Sequence, residues 1–541
     1  MRQGEGFSGD RKDDRLVGLL LAGGGFLLLL FLLTYPAGPD QTIYLTIGRA
    51  LSKGHLFYSE ITDTKPPFIH LLFALSQMIF GDGILGFRIV EFLAQSATLT
   101  LILYGMRRVG FDWFGSGLAA FLYALLYISL GPDGTAQPEG FVGLFLLPMM
   151  LLQTFRRTRG GMLLVGILAG ILFTAKFTFL AVLGGSVLAE FLVFRGEDGW
   201  FRRGFQHSIF IVLGALLVIG LFLGGLFGFG LVHEWQNMST WSSGRLGQIM
   251  ASTNIIEAML TQTGSYLAHG LSLTITILLT LAIARTANDP PQPTAHNSQL
   301  TAQFPRLALL MLLFLLLSTL VEMMFIHYQY SRMTLPIVVL VGPLLASQLR
   351  SLFPLPRRPY QRALVILLLL LGLLFSPLPR TVEKLRSGIA WRFSSDNSVA
   401  GSYDTSSDRR LGEIGTIAER IAEESEGDPS VFALSEVAGF LYSALGTTPG
   451  FRTVYYYHLL SPWTPEKWEE EFTGFLESAP PEFLVIELYA HDHTFSGGPE
   501  PTLDSLYTFK GIRPILEKEY REELRTQSFL LLRRQADGDG S

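Results

Sequence analysis

Apolar residues form long uninterrupted runs in the first two thirds of the chain, and such runs nearly vanish after residue 377. A helix needs about 20 apolar residues to cross the hydrocarbon core of a bilayer. Eleven runs meet or approach that length, and each predicts a membrane-spanning helix. They are 16–35, 84–106, 113–131, 140–155, 161–175, 177–194, 205–229, 265–284, 307–326, 333–349 and 363–377.

The two runs between residues 161 and 194 are separated only by Lys176. A single straight helix of their combined length would be roughly 50 Å long at ~1.5 Å per residue, too long for one crossing. We therefore expect a break at Lys176 and two separate spans. The apolar run 67–80 is too short to cross and is expected to lie at the membrane interface.

After residue 377 the pattern changes to the short alternations of a soluble α/β domain. Ile414, Ile417 and Ile421 recur at helical spacing and predict a helix. The predicted strands are 431–434, 483–488 and 529–532, and Thr464-Pro465 indicates a cap and first turn of another helix. The pattern therefore predicts two domains, a helical membrane domain over 1–377 and a soluble domain over 378–541.

Composition supports a polytopic membrane protein and excludes several other classes. Only 16% of the residues are charged, against about 25% in soluble globular proteins. This deficit excludes an ordinary soluble enzyme and a disordered chain. The sequence has no cysteine, which excludes disulfides, thiolate metal sites and a cysteine nucleophile.

Charge divides the chain at the same boundary. Residues 378–541 contain 16 basic and 27 acidic side chains, whereas residues 1–377 contain 25 basic and 19 acidic ones. The acidic surplus argues against a nucleic-acid partner. With the N-terminus inside, the inner segments of the membrane domain hold eighteen Lys and Arg and the outer ones six. This bias predicts a cytoplasmic N-terminus, an extracytoplasmic C-terminal domain and a multi-pass protein of the inner (plasma) membrane.

Candidate chemistry is concentrated in the first outer loop, residues 38–67. Asp40 stands just past the first span, and the segment ends in Asp63-Thr64-Lys65-Pro66-Pro67. Apolar residues between them recur on one helical face, so we expect that helix to lie on the membrane surface. A carboxylate can deprotonate an acceptor hydroxyl, and a lysine can stabilise the charge of a leaving phosphate.

These residues resemble a known loop. The pattern Asp40-x-x-x-Tyr44, Arg49, Gly54, Tyr58 and Asp63-x-Lys65-Pro66-Pro67 resembles the first outer loop of bacterial family 39-type glycosyltransferases. That family belongs to the GT-C superfamily, with lipid A aminoarabinose transferases and protein O-mannosyltransferases as relatives. Weaker similarity extends to Arg88, Glu139, Gly166-x-x-x-Gly170 with Lys176, and the segment 327–336. One departure is that the family usually has Asp-Glu where this chain has Asp40-Gln41.

The resemblance implies a GT-C-like membrane domain that transfers a sugar from a polyprenyl-phosphate donor with inversion at the anomeric carbon. The acceptor would be a hydroxyl of a lipid, a glycan or a protein, and no metal or other cofactor is implied. The implied catalytic residues are Asp40 and Glu139. The implied cations for the donor phosphate are Lys65, Arg88, Lys176 and Arg332, and the implied substrate-binding residues are Tyr44, Tyr58, Asp63 and Tyr330.

Structural roles remain open for the same residues. Asp40 and Asp63 could cap helices, Lys65 could anchor its segment at the headgroups, and Glu139 could be a loop charge. Arg88 and Lys176 could snorkel to the interface, and Tyr330 with Arg332 could belong to an interfacial belt.

Two other function classes remain open. The first is a transporter or lipid flippase, although no internal repeat is evident and the polar features collect at the outer ends of the spans. The second is a scaffold that presents the C-terminal domain, which does not explain the pattern from Asp40 to Pro67.

The charge bias gives a direct test of topology. A reporter fused after Arg534 that is active only outside the cytoplasm should be active, and a reporter that works only inside should be silent. The opposite result would contradict the orientation, and fusions after Arg108 would then show which early span is inverted.

Overall fold

The computed structural model describes residues 12–109, 111–195, 199–252, 303–304, 306–315, 378–393, 409–425, 427–455, 457–489 and 502–535. The helices are α1 (Lys12–Leu29), α2 (Pro39–Ser52), α3 (Pro67–Phe80), α4 (Ile84–Arg108), α5 (Trp113–Ser129), α6 (Gly131–Gly134), α7 (Val142–Phe155), α8 (Arg159–Ala175), α9 (Leu180–Leu192), α10 (Trp200–Gly228), α11 (Val232–Ser252), α12 (Arg306–Leu315), α13 (Leu378–Arg392), α14 (Arg409–Glu424), α15 (Ala438–Leu445), α16 (Tyr457–Leu460), α17 (Glu466–Ser478), α18 (Thr502–Tyr507) and α19 (Ile512–Glu519). The strands are β1 (Val431–Leu434), β2 (Phe483–Glu487), β3 (Tyr520–Arg525) and β4 (Phe529–Arg534).

The described residues form two compact units. The first, the helical unit, holds residues up to Thr34, then 88–222, α12 and the start of α13. The second, the outer-loop unit, holds 35–87, the region of α11 and the described residues from 387 onward. The first outer loop therefore folds with the C-terminal region. The predicted boundary between residues 377 and 378 stays a prediction, since residues 316–377 lie outside the described residues.

Apolar helices occupy each of the seven spans predicted before residue 230. Among the described residues, four helices are long and apolar enough to cross a membrane: Arg15–Thr34, Ile84–Arg108, Pro138–Phe155 and Trp200–Gly228. Shorter apolar helices cover the other three spans and residues 67–80. An apolar helix, Arg306–Leu315, begins the predicted span 307–326, whose later residues lie outside the described residues. The predicted spans 265–284, 333–349 and 363–377 lie outside them entirely, so the total of eleven stays a prediction.

The expected break at Lys176 is confirmed. Helix α8 ends at Ala175, Lys176 has an extended backbone, and a 3-10 turn over Phe177–Phe179 leads into α9. Glycines let the helices of this unit approach backbone to backbone. A Cβ added at Gly117 of α5 would lie 2.1 Å from the carbonyl oxygen of Gly18, and one at Gly166 of α8 would lie 1.9 Å from that of Ile211. Such close approach maximises van der Waals contact between membrane helices.

The C-terminal region contains a four-stranded mixed sheet, which confirms the α/β prediction. The strand order is β1-β2-β4-β3, with β1 parallel to β2 and the other two pairs antiparallel. Large aromatic side chains such as Trp241, Phe432, Trp468 and Phe472 pack in the buried core beside the sheet. The prediction missed β3, because its sequence Tyr-Arg-Glu-Glu-Leu-Arg lacks an apolar run.

One predicted helix start is wrong in detail. The N-cap residue of α17 is Pro465, which makes no side-chain cap hydrogen bond. The hydroxyl of Thr464 instead donates to the carbonyl oxygen of His458, 3.0 Å away. The helix itself is present as predicted.

Helix α2 does not lie with one face on the membrane surface, contrary to the sequence-based expectation. All its residues from Gln41 to Ala50 are buried, because α3 packs along one side and α15 along another. At Gly439 of α15 the two helices nearly touch. The missing Cβ would lie 2.7 Å from the Thr42 hydroxyl oxygen and 2.9 Å from the Ile43 backbone nitrogen.

Arg49, in the last turn of α2, ties three segments of the outer-loop unit together. Its guanidinium binds both carboxylate oxygens of Asp82 at 2.7 and 2.9 Å. It also donates to the carbonyl oxygens of Tyr442 and Thr447 at the end of α15, at 3.0 and 2.6 Å. The Tyr442 carbonyl also accepts from the amides of Gly446 and Thr447, and the arginine adds a charged donor at this C-terminal end of α15.

The contact at Gly439 predicts a sensitive position. Gly439→Ala should lower the melting temperature in detergent, because overpacking against backbone costs about 1–3 kcal/mol. Gly412→Ala is the matched control, since Gly412 is an exposed residue of α14 and nothing lies within 4 Å of its added Cβ. Equal melting temperatures for the two variants would show that α2 and α15 yield to the extra methyl group.

Candidate active site

Asp40 and Lys65, at the two ends of the first outer loop, form a direct ion pair in the outer-loop unit. The Lys65 Nζ lies 3.3 Å from Asp40 Oδ1 and 4.8 Å from the centroid of the Tyr44 ring, over its face. Asp40 stands in the first turn of α2, directly after Pro39. Their side chains are 43% and 31% exposed, so both charges are open to a substrate.

The residues just before Lys65 fold back into the unit. Tyr58 has a left-handed backbone (φ 77°), and its amide donates to the carbonyl oxygen of Ile61 at 2.7 Å. Asp63 is buried, and its Oδ1 accepts the Thr64 amide at 2.6 Å. Its other oxygen lies 3.2 Å from Nε2 of His70, which is fully buried on α3. Asp63 does not cap α3, whose N-cap residue is Pro66, and its implied substrate-binding role stays a prediction.

Burial and local charge set the ionisation of this pair. Burial alone would raise the pKa of Asp63, but His70 and the charge of Lys65 together hold that pKa below its usual range. Burial lowers the pKa of His70 by more than Asp63 raises it. These directions favour an ionised carboxylate at Asp63 and a neutral imidazole at His70. Burial, with Asp63 nearby, also raises the pKa of Tyr58, so its hydroxyl stays protonated.

The helical unit holds a second carboxylate–lysine pair. Glu139 lies in a 3-10 turn over Pro138–Phe141, and its Oε1 accepts a hydrogen bond from Lys176 Nζ at 2.8 Å. The break at Lys176 is what makes the ammonium available, because an extended residue between two helices directs its side chain outside both helical ladders. Both side chains are largely buried, with Glu139 at 7% exposure and Lys176 at 16%.

Arg88 is wholly buried in the helical unit, which differs from the open position expected of a phosphate ligand. Its guanidinium binds Glu91 at 2.7 Å and the Thr135 hydroxyl at 3.0 Å. Glu91 also accepts from the Tyr127 hydroxyl at 2.7 Å and from the Ala136 amide. This network fixes the loop that leads to Glu139. The predicted phosphate role of Arg88 stays a prediction.

Two functional candidates lie outside the described residues, namely Tyr330 and Arg332. Among the described residues, no group of three His, Asp or Glu side chains is placed to hold a metal ion. Sequence reasoning missed His70 and Glu91. For Glu91 the sequence did contain a signal, because this carboxylate follows Arg88 by about one helical turn. His70 stands in an apolar run, which predicts only a buried core position.

Comparison with known proteins finds a similar protein family for part of the chain. Residues 64–223 match the model of the dolichyl-phosphate-mannose-protein mannosyltransferase family. None of the curated proteins matches this chain significantly. Among solved structures, ArnT from Cupriavidus metallidurans bound to undecaprenyl phosphate is similar at 14% identity and a TM-score of 0.44, covering 96% of this chain and 98% of that one.

A second similar structure is the archaeal oligosaccharyltransferase AglB from Archaeoglobus fulgidus, in complex with an inhibitory peptide and a dolichol-phosphate. Its identity is 11% and its TM-score 0.45, with 96% of this chain and 74% of that one covered.

The family match begins within the Asp63–Pro67 segment and continues through the Arg88, Glu139 and Lys176 positions. It therefore confirms the resemblance that the first outer loop indicated. Over residues 64–223 the chain is thus similar to the dolichyl-phosphate-mannose-protein mannosyltransferases.

Proposed function

We propose that the protein transfers a hexose or pentose from a polyprenyl-phosphate donor to a hydroxyl acceptor at the outer face of the inner membrane, with inversion. The observation that carries this proposal is the pair of Asp40 and Lys65, at 3.3 Å and open to solvent. A base for the acceptor and a cation for the leaving group then lie side by side. The matching family is named for a lipid-phosphate sugar donor, which supports the donor class.

Inversion requires one direct displacement at the anomeric carbon. The acceptor oxygen forms its bond to that carbon while Asp40 removes the hydroxyl proton. The bond between the anomeric carbon and the phosphate oxygen breaks at the same time, and its electron pair leaves with the polyprenyl phosphate. Lys65 stabilises the negative charge that develops there. Afterwards Asp40 carries the proton and loses it to water.

The carboxylate–ammonium contact suits a resting site. A charge-assisted hydrogen bond keeps the ammonium in place while no donor is bound. The donor phosphate, a diester with one negative charge, competes with the carboxylate for the same ammonium and gains a second charge as its bond to the anomeric carbon breaks. The lysine can then turn to the phosphate, which frees Asp40 for the acceptor hydroxyl.

Glu139 and Lys176 form the second candidate pair for acid–base and phosphate chemistry. Their burial makes them less accessible than Asp40 and Lys65. We therefore rank Glu139 second as the base and Lys176 second as the phosphate cation, ahead of Arg88 with its buried carboxylate partner.

The base assignment predicts a turnover defect. Asp40→Asn should lower sugar transfer by roughly 10²–10⁴-fold, because an amide cannot accept the proton. Donor affinity should be unchanged or tighter, since Lys65 loses a competing carboxylate. The measurement is transfer of radiolabelled sugar from polyprenyl phosphate by the purified protein.

Glu60→Gln is the control for that experiment, because it removes an exposed carboxylate from the same loop. Turnover near the wild-type level in Asp40→Asn would move the base elsewhere, with Glu139 next to test.

The phosphate assignment predicts a binding defect. Lys65→Ala should weaken binding of farnesyl phosphate, used as a short polyprenyl-phosphate probe. Loss of a charge-assisted contact costs about 1.5–3 kcal/mol, or roughly 10- to 140-fold in affinity at ~1.4 kcal/mol per factor of ten. Lys53→Ala, which removes an exposed lysine at the end of α2, should bind normally in the same titration calorimetry. Unchanged affinity in Lys65→Ala would show that other cations hold the phosphate.

A further inference from the structure

His70 is a polar side chain buried inside an otherwise apolar helix. It lies on α3, close behind the Pro66-Pro67 pair that follows Lys65, and is 0% exposed. Its Nε2 lies 3.2 Å from Asp63 Oδ2, at ion-pair distance, but among the described residues neither ring nitrogen makes a hydrogen bond of regular geometry. A buried polar atom without a partner costs stability. An apolar side chain would suit a purely structural position in this core better.

One connection from His70 to Lys65 runs along the backbone. His70 contacts one oxygen of Asp63, and the other oxygen accepts from both the amide and the hydroxyl of Thr64, at 2.6 and 3.2 Å. Thr64 is bonded directly to Lys65. Pro66, with its φ fixed near −62°, then leads into α3. The lysine thus sits in a segment held on both sides.

A second connection runs through an aromatic ring. The Tyr44 ring packs edge-on against the His70 imidazole, with centroids 5.4 Å apart, and against Phe73 at 5.5 Å. The Lys65 ammonium lies over the same Tyr44 ring, 4.8 Å from its centroid. A cation over an aromatic face is attracted to it, so the orientation of this ring helps to set the position of the ammonium.

We propose that His70 is a positioning residue for glycosyl transfer, which holds Asp63 and Tyr44 and through them places the Lys65 ammonium beside Asp40. This inference rests on the proposed role of Lys65 in binding the donor phosphate. Such positioning matters because a lysine side chain has several rotatable bonds. Holding its ammonium in one place costs the conformational entropy of those bonds. Fixing the backbone at Thr64 and the ring at Tyr44 reduces that entropy before the donor arrives.

A double-mutant cycle on farnesyl phosphate affinity tests the proposal. His70→Phe keeps a ring against Tyr44 but removes the contact with Asp63, and should weaken binding roughly tenfold, within the range by which contacting residues couple. In the Lys65→Ala background the same change should alter affinity less than twofold. His70→Gln should recover most of the affinity, because its amide can donate to Asp63.

Tyr442→Phe is the matched control, since it removes another buried hydrogen bond of the same unit, the one from the Ala433 amide. It should lower the melting temperature and leave farnesyl phosphate affinity unchanged. A purely structural role for His70 would make His70→Phe behave like this control.

The outcomes separate the two proposals. If Lys65→Ala binds normally, the phosphate assignment fails, and the role of His70 fails with it. If Lys65→Ala binds weakly but His70→Phe lowers affinity by the same factor in both backgrounds, only the positioning role is overturned. If His70→Phe does not fold, Asp63→Asn replaces it in the cycle, because its carbonyl oxygen still accepts from Thr64. The same criterion then applies to that variant.

Discussion

The guanidinium of Arg49 is the interaction on which the outer-loop unit depends. It is nearly inaccessible to solvent and binds a carboxylate and two helix-end carbonyls at once. The arginine belongs to α2, and its partners belong to the turn before α4 and to the end of α15. A buried guanidinium is stable only if its donors are satisfied, so these segments must meet in one arrangement. Asp40, at the other end of α2, takes its position from that constraint.

Features that depend on the length and spacing of apolar runs could be predicted from the sequence. Spans before residue 230, the break at Lys176 and three of the four strands follow from how much apolar surface a segment offers and at what period. The pairing of Asp40 with Lys65 was implied only by resemblance. Strand β3 was missed because it is strongly charged and half exposed, so pairing with β4 rather than burial makes it a strand.

The burial of α2 depends on tertiary packing, which the pattern of apolar residues did not predict. The apolar face of α2 has the spacing of a helix on a membrane surface, yet its polar residues are buried too. Gln41 illustrates the consequence. It is completely buried and stands where the resembled family has glutamate. An ionised carboxylate at such a site would lose its hydration, whereas an amide carries no charge to desolvate. The burial of α2 thus fits the amide, and it leaves Asp40 as the exposed acid of the pair.

The order of the strands has a consequence for synthesis. Because β4 lies between β2 and β3, the sheet stays incomplete until residues 529–534 have left the ribosome. Helix α15, which covers α2 and receives Arg49, belongs to the same unit as this sheet. Membrane helices can insert one after another as they emerge, but the segment with Asp40 and Lys65 must wait for residues made several hundred positions later. The helices can therefore insert before the segment with Asp40 and Lys65 has acquired the partners that cover it.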